Sequence, residues 1–290
     1  MKIGKVIHPA VAGNQKIAHE CNVLPQDQDC NWDPILLEVM NNTKPTKSGA
    51  HYCSYEGTGN LTIFFTGNSF ALRQLAAVKT ALKSMYKKLY YVARPACLTF
   101  EFFNIGYEKY WQCDELMNST AKFLEKIKPD VLMISQKVSG NDQFKGRVNS
   151  IEVNDTTVVK LREYFQIWSP FVKKIYHIQP HPTLWVNPAT SMARELANGA
   201  SIERHFLTLG AVESRVGPGW WRIKSAMRSC PKCTPIEMNE AFVEDNKFFY
   251  HDRNTKLSYF CDNGHLSPFG ANKMIPILRK VISEDFKGTI

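Results

Sequence analysis

An alternation of short apolar runs with amphipathic segments constrains the fold of this chain of 290 residues more than any other feature. Residues 61–65 form a β-prone run that ends at Thr66-Gly67, and from Ser69 to Tyr86 the apolar residues recur at helical spacing. Residues 131–134 are apolar without polar alternation, which is typical of a strand inside a parallel sheet. The pattern therefore predicts an α/β domain with a central parallel sheet and helices on both faces.

The rest of the chain continues this alternation. It predicts strands at 98–103 and 172–178, a hairpin within 248–260 around Arg253-Asn254, and helices at 114–127, 157–168, 191–209 (interrupted near Gly199) and 268–286. Residues 1–55 lack periodicity, are rich in Pro, Asn and Gln, and contain three cysteines. We expect them to form an irregular, disulfide-tied lead, so that residues 56–290 form the main domain.

The composition narrows the partners. The net charge of +9 makes nucleic acid the first partner to consider, but the basic residues are scattered in short clusters. A solvated basic surface is the better interpretation, and we expect no nucleic-acid partner. No stretch approaches the roughly 20 apolar residues that span a bilayer, and no convincing signal peptide is present.

The eight cysteines and four Asn-x-Ser/Thr sequons, which begin at Asn41, Asn60, Asn118 and Asn154, point to one kind of compartment. An even number of cysteines in loop-like sequence predicts disulfides. Disulfides and glycans together favour an extracellular or secretory-lumen location. Since no signal peptide is evident, we expect a membrane segment absent from this chain to tether and deliver it.

Ser69 is the first candidate catalytic residue. In a parallel sheet, sites form at the carboxyl ends of strands, and Gly67 permits a tight turn there before Ser69 begins the helix. Its hydroxyl would lie at the rim of the sheet, and its own N–H would be a free donor that can stabilise an oxyanion. The alternative interpretation is that Ser69 only caps the helix.

Asp262 and His265, three residues apart in a loop near the C-terminus, complete the candidate site. This spacing lets the carboxylate bind one imidazole nitrogen while the other faces Ser69, so His265 would act as general base and then general acid. We expect Gly264 to allow the loop through a positive φ. The alternative is an Asp-Asn-Gly turn followed by a helix cap at Ser267.

Several segments resemble the SGNH (GDSL-like) hydrolase superfamily, and more narrowly the SGNH domains fused to membrane acyltransferase-3 domains in bacteria and nematodes. The matching segments are IFFTGNSFALRQ at 63–74, RPAC at 94–97, Cys113, KPDVLMIS at 128–135 and LSYFCDNGHLSPFGANK at 257–273. The resemblance implies a flavodoxin-like three-layer α/β/α sandwich, with Ser69 as nucleophile and Asp262 and His265 as its partners.

The chain departs from the family pattern at the oxyanion hole. The family's Gly-Asp-Ser block reads Gly67-Asn68-Ser69, and its Gly block is not identifiable. Ser139-Gly140-Asn141-Asp142 resembles the Gly-x-Asn-Asp block but lies about two residues late. Asn141 and Gln136, the latter at the strand end, are therefore equal candidates to join the Ser69 amide as donors.

Two further clusters have competing interpretations. Cys230, Cys233, Cys261 and His265 have the spacing of zinc ligands, although disulfides are favoured and we expect no metal or other cofactor. The favoured disulfide is Cys97 with Cys113. His177 and His181 are expected to be structural rather than ligands, and Trp220-Trp221 to pack under a loop rather than line a cleft.

These features predict acyl transfer through a covalent ester on Ser69. The acceptor would be water, as in an esterase, or the hydroxyl of a glycan or similar extracellular molecule. The resemblance favours an O-acyltransferase, with a membrane acyltransferase-3 domain, upstream or in trans, supplying the acyl group. The alternative from another class is a catalytically silent glycan-binding or interaction module on the same fold.

Overall fold

The computed structural model describes residues 8–22, 30–41, 51–103, 111, 113–146 and 155–288. Its main sheet has seven strands in the order β1-β2-β4-β3-β5-β6-β8. The bounds are β1 Asn31–Trp32, β2 His51–Glu56, β3 Leu61–Gly67, β4 Tyr86–Ala93, β5 Val131–Ser135, β6 Lys174–Ile178 and β8 Cys233–Ile236. Strands β4, β3, β5, β6 and β8 are parallel, whereas β2 and β1 extend the sheet antiparallel beside β4.

Helices cover both faces of this sheet. They are α1 Ala10–Glu20, α2 Pro34–Val39, α3 Ser69–Leu82, α4 Cys113–Ile127, α5 Thr156–Trp168, α6 Pro188–Ala197, α7 Leu209–Met227, α8 Pro268–Ala271 and α9 Ile275–Asp285. Helix α3 packs with α8 and α9, whereas α4, α5 and α7 pack in sequence with one another. The predicted three-layer α/β/α sandwich is confirmed, and a small sheet of β7 Phe206–Thr208, β9 Val243–Glu244 and β10 Lys247–Phe249 accompanies it.

The parallel part of the sheet has the flavodoxin strand order, in which the first strand lies between the second and the third. Here β3 lies between β4 and β5, so the connection that follows β3 leads to one side of it, and the connection that follows β4 leads to the other side. Ligands bind at such a switch point, beyond the carboxyl ends of the strands. The topology therefore makes the end of β3, at Gly67, the expected place for a site.

The close approach of β3 to β5 explains why glycine ends β3. Gly67 has φ 152°, and a Cβ at this position would lie 1.8 Å from the carbonyl oxygen of Ser135. Any larger residue would force the two strands apart. Ile63, Phe64 and Phe65 just before it are fully buried, as predicted for a central strand covered on both faces.

Several predicted elements differ from the structure. The strand predicted at 98–103 is wrong, because Glu101–Phe103 is a 3₁₀ turn and the second parallel strand is β4, earlier in the chain. Helix α3 ends at Leu82 rather than at residue 86. Strand β4 was not predicted because Lys87 and Lys88, near its start, interrupt the apolar run expected of a buried strand. From Leu89 to Ala93 the strand is buried.

Other departures are smaller. Only the first part of the segment predicted as one helix at 191–209 is helical, in α6; an irregular stretch and β7 follow, and α7 begins at Leu209. The C-terminal helix is interrupted by a 3₁₀ turn at Asn272–Met274. The predicted hairpin appears as a turn closed by the bridge between His251 and Ser258. None of the helices in the described ranges combines the length and the apolar character needed to cross a membrane.

The N-terminal lead is more regular than its sequence suggested. It contains α1, α2, β1 and β2, and α1 packs against α6. A disulfide joins Cys30, the residue before the edge strand β1, to Cys53 in β2. The division at residue 55 and glycosylation stay predictions: Asn41 and Asn60 are exposed, whereas Asn154 and the side chain of Asn118 lie outside the described residues.

Candidate active site

Ser69 is the first residue of α3, directly after the turn that ends β3. Asn68 caps this helix, because its side-chain Oδ1 accepts a hydrogen bond of 3.2 Å from the N–H of Phe70. The cap is thus Asn68 and not Ser69, so the hydroxyl of Ser69 is available for chemistry. The N–H of Ser69 belongs to the first turn, where backbone donors have no partner within the helix.

The structure brings the three predicted catalytic side chains together. His265 Nε2 lies 2.8 Å from Ser69 Oγ, and His265 Nδ1 lies 2.7 Å from Asp262 Oδ2. When Nδ1 carries the proton, the imidazole donates to Asp262 and accepts from the Ser69 hydroxyl. This is the geometry in which a serine can lose its proton to histidine while a carboxylate holds the ring.

Asp262 also builds the loop that contains the histidine. Its Oδ1 accepts hydrogen bonds from the N–H groups of Gly264 at 2.6 Å and His265 at 2.7 Å. The expectation that Gly264 needs a positive φ is wrong, since its φ is not positive and a Cβ would find its nearest neighbour, Thr183 Cγ2, at 3.7 Å. The loop is closed by the aspartate side chain rather than by glycine.

Three contacts anchor this loop to the rest of the molecule. A disulfide joins Cys261, the residue before Asp262, to Cys21 beyond the end of α1. Asn187 Nδ2 donates to the carbonyl of Cys261 at 3.0 Å, and the Leu184 N–H donates to the carbonyl of Asn263 at 2.6 Å. The loop after β6 and the N-terminal helix therefore both hold the candidate triad in place.

The electrostatics favour an ionised Asp262 and a neutral His181. Burial acts to raise the pKa of Asp262, but the hydrogen bond and charge of His265 and the two N–H groups outweigh it, and the pKa falls below its usual 3.8. Burial lowers the pKa of His181 to about 3, so this ring stays neutral. His181 stacks on Phe70 with ring centroids 4.0 Å apart, and the rings of Phe70 and His265 form a T-shaped pair with centroids 6.0 Å apart.

A cavity of about 390 Å³ opens onto the serine. This size is typical of small-molecule sites. Its walls combine the candidate triad with apolar side chains and two cations; they comprise Cys21, Asn68, Ser69, Leu72, Arg73, Pro95, Ala96, Leu98, Phe103, Trp111, Lys137, Gly140, Asn141, Asp262 and His265. The cavity therefore offers both a reactive centre and room for an acyl group.

The two oxyanion candidates, Asn141 and Gln136, differ in their position relative to the cavity. Asn141 lines the cavity, and its side chain is oriented by accepting from the N–H of Gln143 at 3.0 Å and donating to the carbonyl of Phe103. Gln136 is fully buried and does not line the cavity. Its amide is engaged by Thr99 and His177, so the structure gives no support to Gln136 as a donor.

The zinc alternative is incompatible with the disulfides. Cys230 pairs with Cys233, and Cys261 pairs with Cys21, so these sulfurs are not thiolates. The same applies to Cys21 in the cluster that it forms with Asp262 and His265. Cys97 and Cys113 are joined in the structure, as the sequence favoured.

The other singled-out side chains lie in the protein interior or on its surface. His177 is fully buried between Gln136 and the carbonyl of Ile178. Trp220 is buried and donates to Glu237 at 2.9 Å, whereas Trp221 is partly exposed beneath Lys224. None of the three lines the cavity beside Ser69.

Sequence reasoning missed Arg73, Lys137 and Ala96, which all line the cavity. Arg73 could have been found, because it follows Ser69 by four positions and so shares its helix face. Ala96 has φ 63°, a strained conformation for a residue with a Cβ, and such strain is concentrated at functional sites. Nothing in the sequence around Lys137 distinguished it from the other lysines.

Comparison with known proteins gives the family. The family model described as the SGNH domain (fused to AT3 domains) matches residues 39–280. No curated protein matches the chain at a significant level. Among solved structures, the periplasmic domain of a lipopolysaccharide acetyltransferase from Salmonella ser. Paratyphi A superposes with a TM-score of 0.58 at 11% identity, covering 97% of this chain and 98% of that one.

Acetyl xylan esterases are more distant matches. A catalytic mutant of the acetylxylan esterase Axe2 from Geobacillus stearothermophilus gives a TM-score of 0.44 at 12% identity, covering 80% of this chain and 97% of that one. The family match spans most of the chain, and the lipopolysaccharide acetyltransferase domain has the same fold. The chain belongs to the family of SGNH domains that occur fused to AT3 domains, within the SGNH class of acyl hydrolases and acyltransferases.

Proposed function

We propose that this protein transfers an acyl group through a covalent ester on Ser69, with a glycan or similar hydroxyl-bearing molecule as acceptor. The observation that carries the proposal is the continuous hydrogen-bond chain from Ser69 Oγ through His265 to Asp262, at 2.8 Å and 2.7 Å. This chain opens onto the cavity, where an ester carbonyl can approach the serine.

The mechanism follows from the tautomer of the histidine. As Ser69 Oγ attacks the acyl carbonyl, its proton passes to His265 Nε2, and Asp262 stabilises the resulting imidazolium. The tetrahedral oxyanion is stabilised by the Ser69 N–H and the side-chain amide of Asn141. His265 then returns the proton to the leaving alcohol, which departs and leaves the acyl group on Ser69.

The second half of the cycle repeats these steps with a hydroxyl as nucleophile. His265 takes the acceptor's proton, the new ester or acid forms, and Ser69 recovers its hydrogen. Membership of a family fused to AT3 domains supports a transferase that receives its acyl group from a membrane AT3 domain, upstream or in trans. Four disulfides support an oxidising, extracellular or luminal compartment, which suits a tethered domain acting on extracellular acceptors.

The test is the loss of ester turnover in Ser69→Ala. Hydrolysis of 4-nitrophenyl acetate should fall by at least about 10³-fold, because the substitution removes only the attacking oxygen. Ser283→Ala, at a serine on α9 that does not line the cavity, is the matched control and should keep wild-type turnover. Undiminished activity in a folded Ser69→Ala protein would refute the nucleophile, and inactivity of the wild type would favour a silent binding module.

A further inference from the structure

Two cations line the catalytic cavity, and they are held very differently. The guanidinium of Arg73 donates to the carbonyl oxygens of Glu20 at 2.8 Å and Cys21 at 3.1 Å, which fixes it against the end of α1. The side-chain amine of Lys137 has no hydrogen-bond or ion-pair partner among the residues that the structure describes. Arg73 thus supports the wall of the cavity, whereas the amine of Lys137 has no structural role of this kind.

The backbone of Lys137 is fixed by the residue before the nucleophile. Asn68 Oδ1 accepts from the N–H of Lys137 at 3.0 Å, and Asn68 Nδ2 donates to its carbonyl at 3.1 Å. An aspartate, which the wider family has here, could accept the first bond but could not donate the second. The asparagine therefore ties the position of Lys137 directly to that of Ser69.

The carboxylate of the candidate triad forms no ion pair with this lysine. Asp262 is occupied by the imidazole of His265 and by the two N–H groups of its own loop, and it makes no ion pair with Lys137. Burial lowers the pKa of Lys137, while the charge of Asp262 acts to raise it. The half-buried ammonium group has no ion-pair partner among the described residues, and the charge of Asp262 offsets its loss of hydration only in part, because the pKa of Lys137 stays lowered.

Among the described side chains that line the cavity, positive charges therefore outnumber negative ones. Among the described residues that line the cavity, the cations are Arg73 and Lys137 and the one carboxylate is that of Asp262. Glu20, which does not line the cavity, interacts with the charge of Arg73 but not with that of Lys137. The net charge of the protein is +9. A field of this sign attracts anions and strengthens their binding inside the cavity. The apolar lining side chains, among them Leu72, Leu98 and Phe103, suit an acyl chain. An anionic group bound in the same cavity would therefore belong to the alcohol portion of the ester.

We propose that Lys137 binds an anionic group, such as a carboxylate, on the hydroxyl-bearing portion of the substrate and so selects negatively charged acceptors. This inference rests on the proposed acyl transfer at Ser69 and names the class of molecule that the site takes. Lys137 acts in specificity and not in proton transfer, because His265 already contacts the serine. An arginine in its place should preserve charge recognition, whereas a neutral side chain of similar length should not.

The experiment compares two acetyl esters that differ in one charge, 4-acetoxybenzoate and its neutral analogue 4-acetoxybenzamide. The ratio of kcat/KM for the anionic over the neutral ester is measured for the wild type, Lys137→Met and Lys137→Arg. The control is Lys280→Met, an exposed lysine on α9 that does not line the cavity. It removes the same unit of net charge.

In Lys137→Met the ratio should fall by about tenfold or more, which is the scale of losing one partly desolvated charge contact. Lys137→Arg should retain most of the wild-type ratio, and Lys280→Met should not change it. A ratio in Lys137→Met within about twofold of wild type, or an equal fall in Lys280→Met, would overturn the inference. Turnover of both esters that persists in Ser69→Ala would instead overturn the proposed function, so the two failures are distinguishable.

Discussion

Asp262 has two tasks in one side chain, and its two oxygens divide them. Oδ2 holds the imidazole of His265, whereas Oδ1 accepts the N–H groups that close the loop. A single substitution that removes both oxygens therefore mixes catalysis with folding. Substitutions that remove one function at a time separate them.

Asp262→Asn should keep the loop but not the chemistry. Its remaining carbonyl oxygen can still accept both N–H groups, while its amide leaves the imidazole without a partner for its protonated form, so turnover should fall by roughly 10³–10⁴-fold. Asp262→Ala should also lose about 1–3 kcal/mol of unfolding free energy, because two loop N–H groups lose their acceptor. Kinetics and urea denaturation of both variants measure this; equal stability losses in Asn and Ala would contradict the division.

At the scale of elements, the Cys21–Cys261 disulfide connects the N-terminal helix to the loop that carries Asp262 and His265, across a sequence separation of 240 residues. Cross-links of this kind stabilise by about 2–4 kcal/mol, chiefly through the unfolded chain. Here the disulfide also borders the cavity, next to the carbonyl that Arg73 binds. Its loss should consequently affect both the stability of the fold and the position of Asp262.

We expect Cys21→Ala/Cys261→Ala to lower the melting temperature and to reduce kcat on acetyl esters, because the loop before Asp262 loses its covalent anchor. Cys230→Ala/Cys233→Ala is the matched control, since that disulfide closes a sequence separation of only 3 residues and lies away from the cavity lining. It should cost little stability and leave turnover intact. Thermal melts and ester kinetics of the two double variants decide; equal activity in both would show that α1 does not support the site.

The sequence predicts an element well when residues close to it in the chain determine its structure, and poorly when contacts with distant residues do. The strand–turn–helix at Ser69 was predicted correctly because apolar periodicity and Gly67 mark it locally. Strand β4 was missed because Lys87 and Lys88, which lie near its start and are not buried, break the apolar pattern of a central strand. The sequence left Gln136 and Asn141 as equal candidate donors, because the engagement of Gln136 by Thr99 and His177 depends on residues 37 and 41 positions away.

At the scale of the whole molecule, two histidines beside the site are kept neutral by the fold around them. Burial lowers the pKa of His177 to about 4 and that of His181 to about 3. Gln136, whose carbonyl oxygen accepts from Thr99, presents its amide nitrogen to His177 Nε2, and His177 Nδ1 faces the carbonyl of Ile178. His177 is therefore the neutral ring protonated on Nδ1, and a second proton has no acceptor.

These two rings should make the fold sensitive to mild acid. Both folded pKa values lie below the ordinary 6.5, so between about pH 6 and pH 4 the unfolded chain binds more protons than the folded one. Stability should thus be fully present above about pH 7 and fall with acidification, by up to about 1.4 kcal/mol per pH unit for each histidine. His177→Gln keeps a neutral donor and acceptor but cannot titrate. In this variant the slope of the unfolding free energy against pH should decrease by about 1.4 kcal/mol per pH unit, which corresponds to one proton, even if stability at pH 8 is lower. Urea denaturation at intervals of pH measures both slopes, and identical slopes in the variant and the wild type would mean that His177 is protonated within the folded protein.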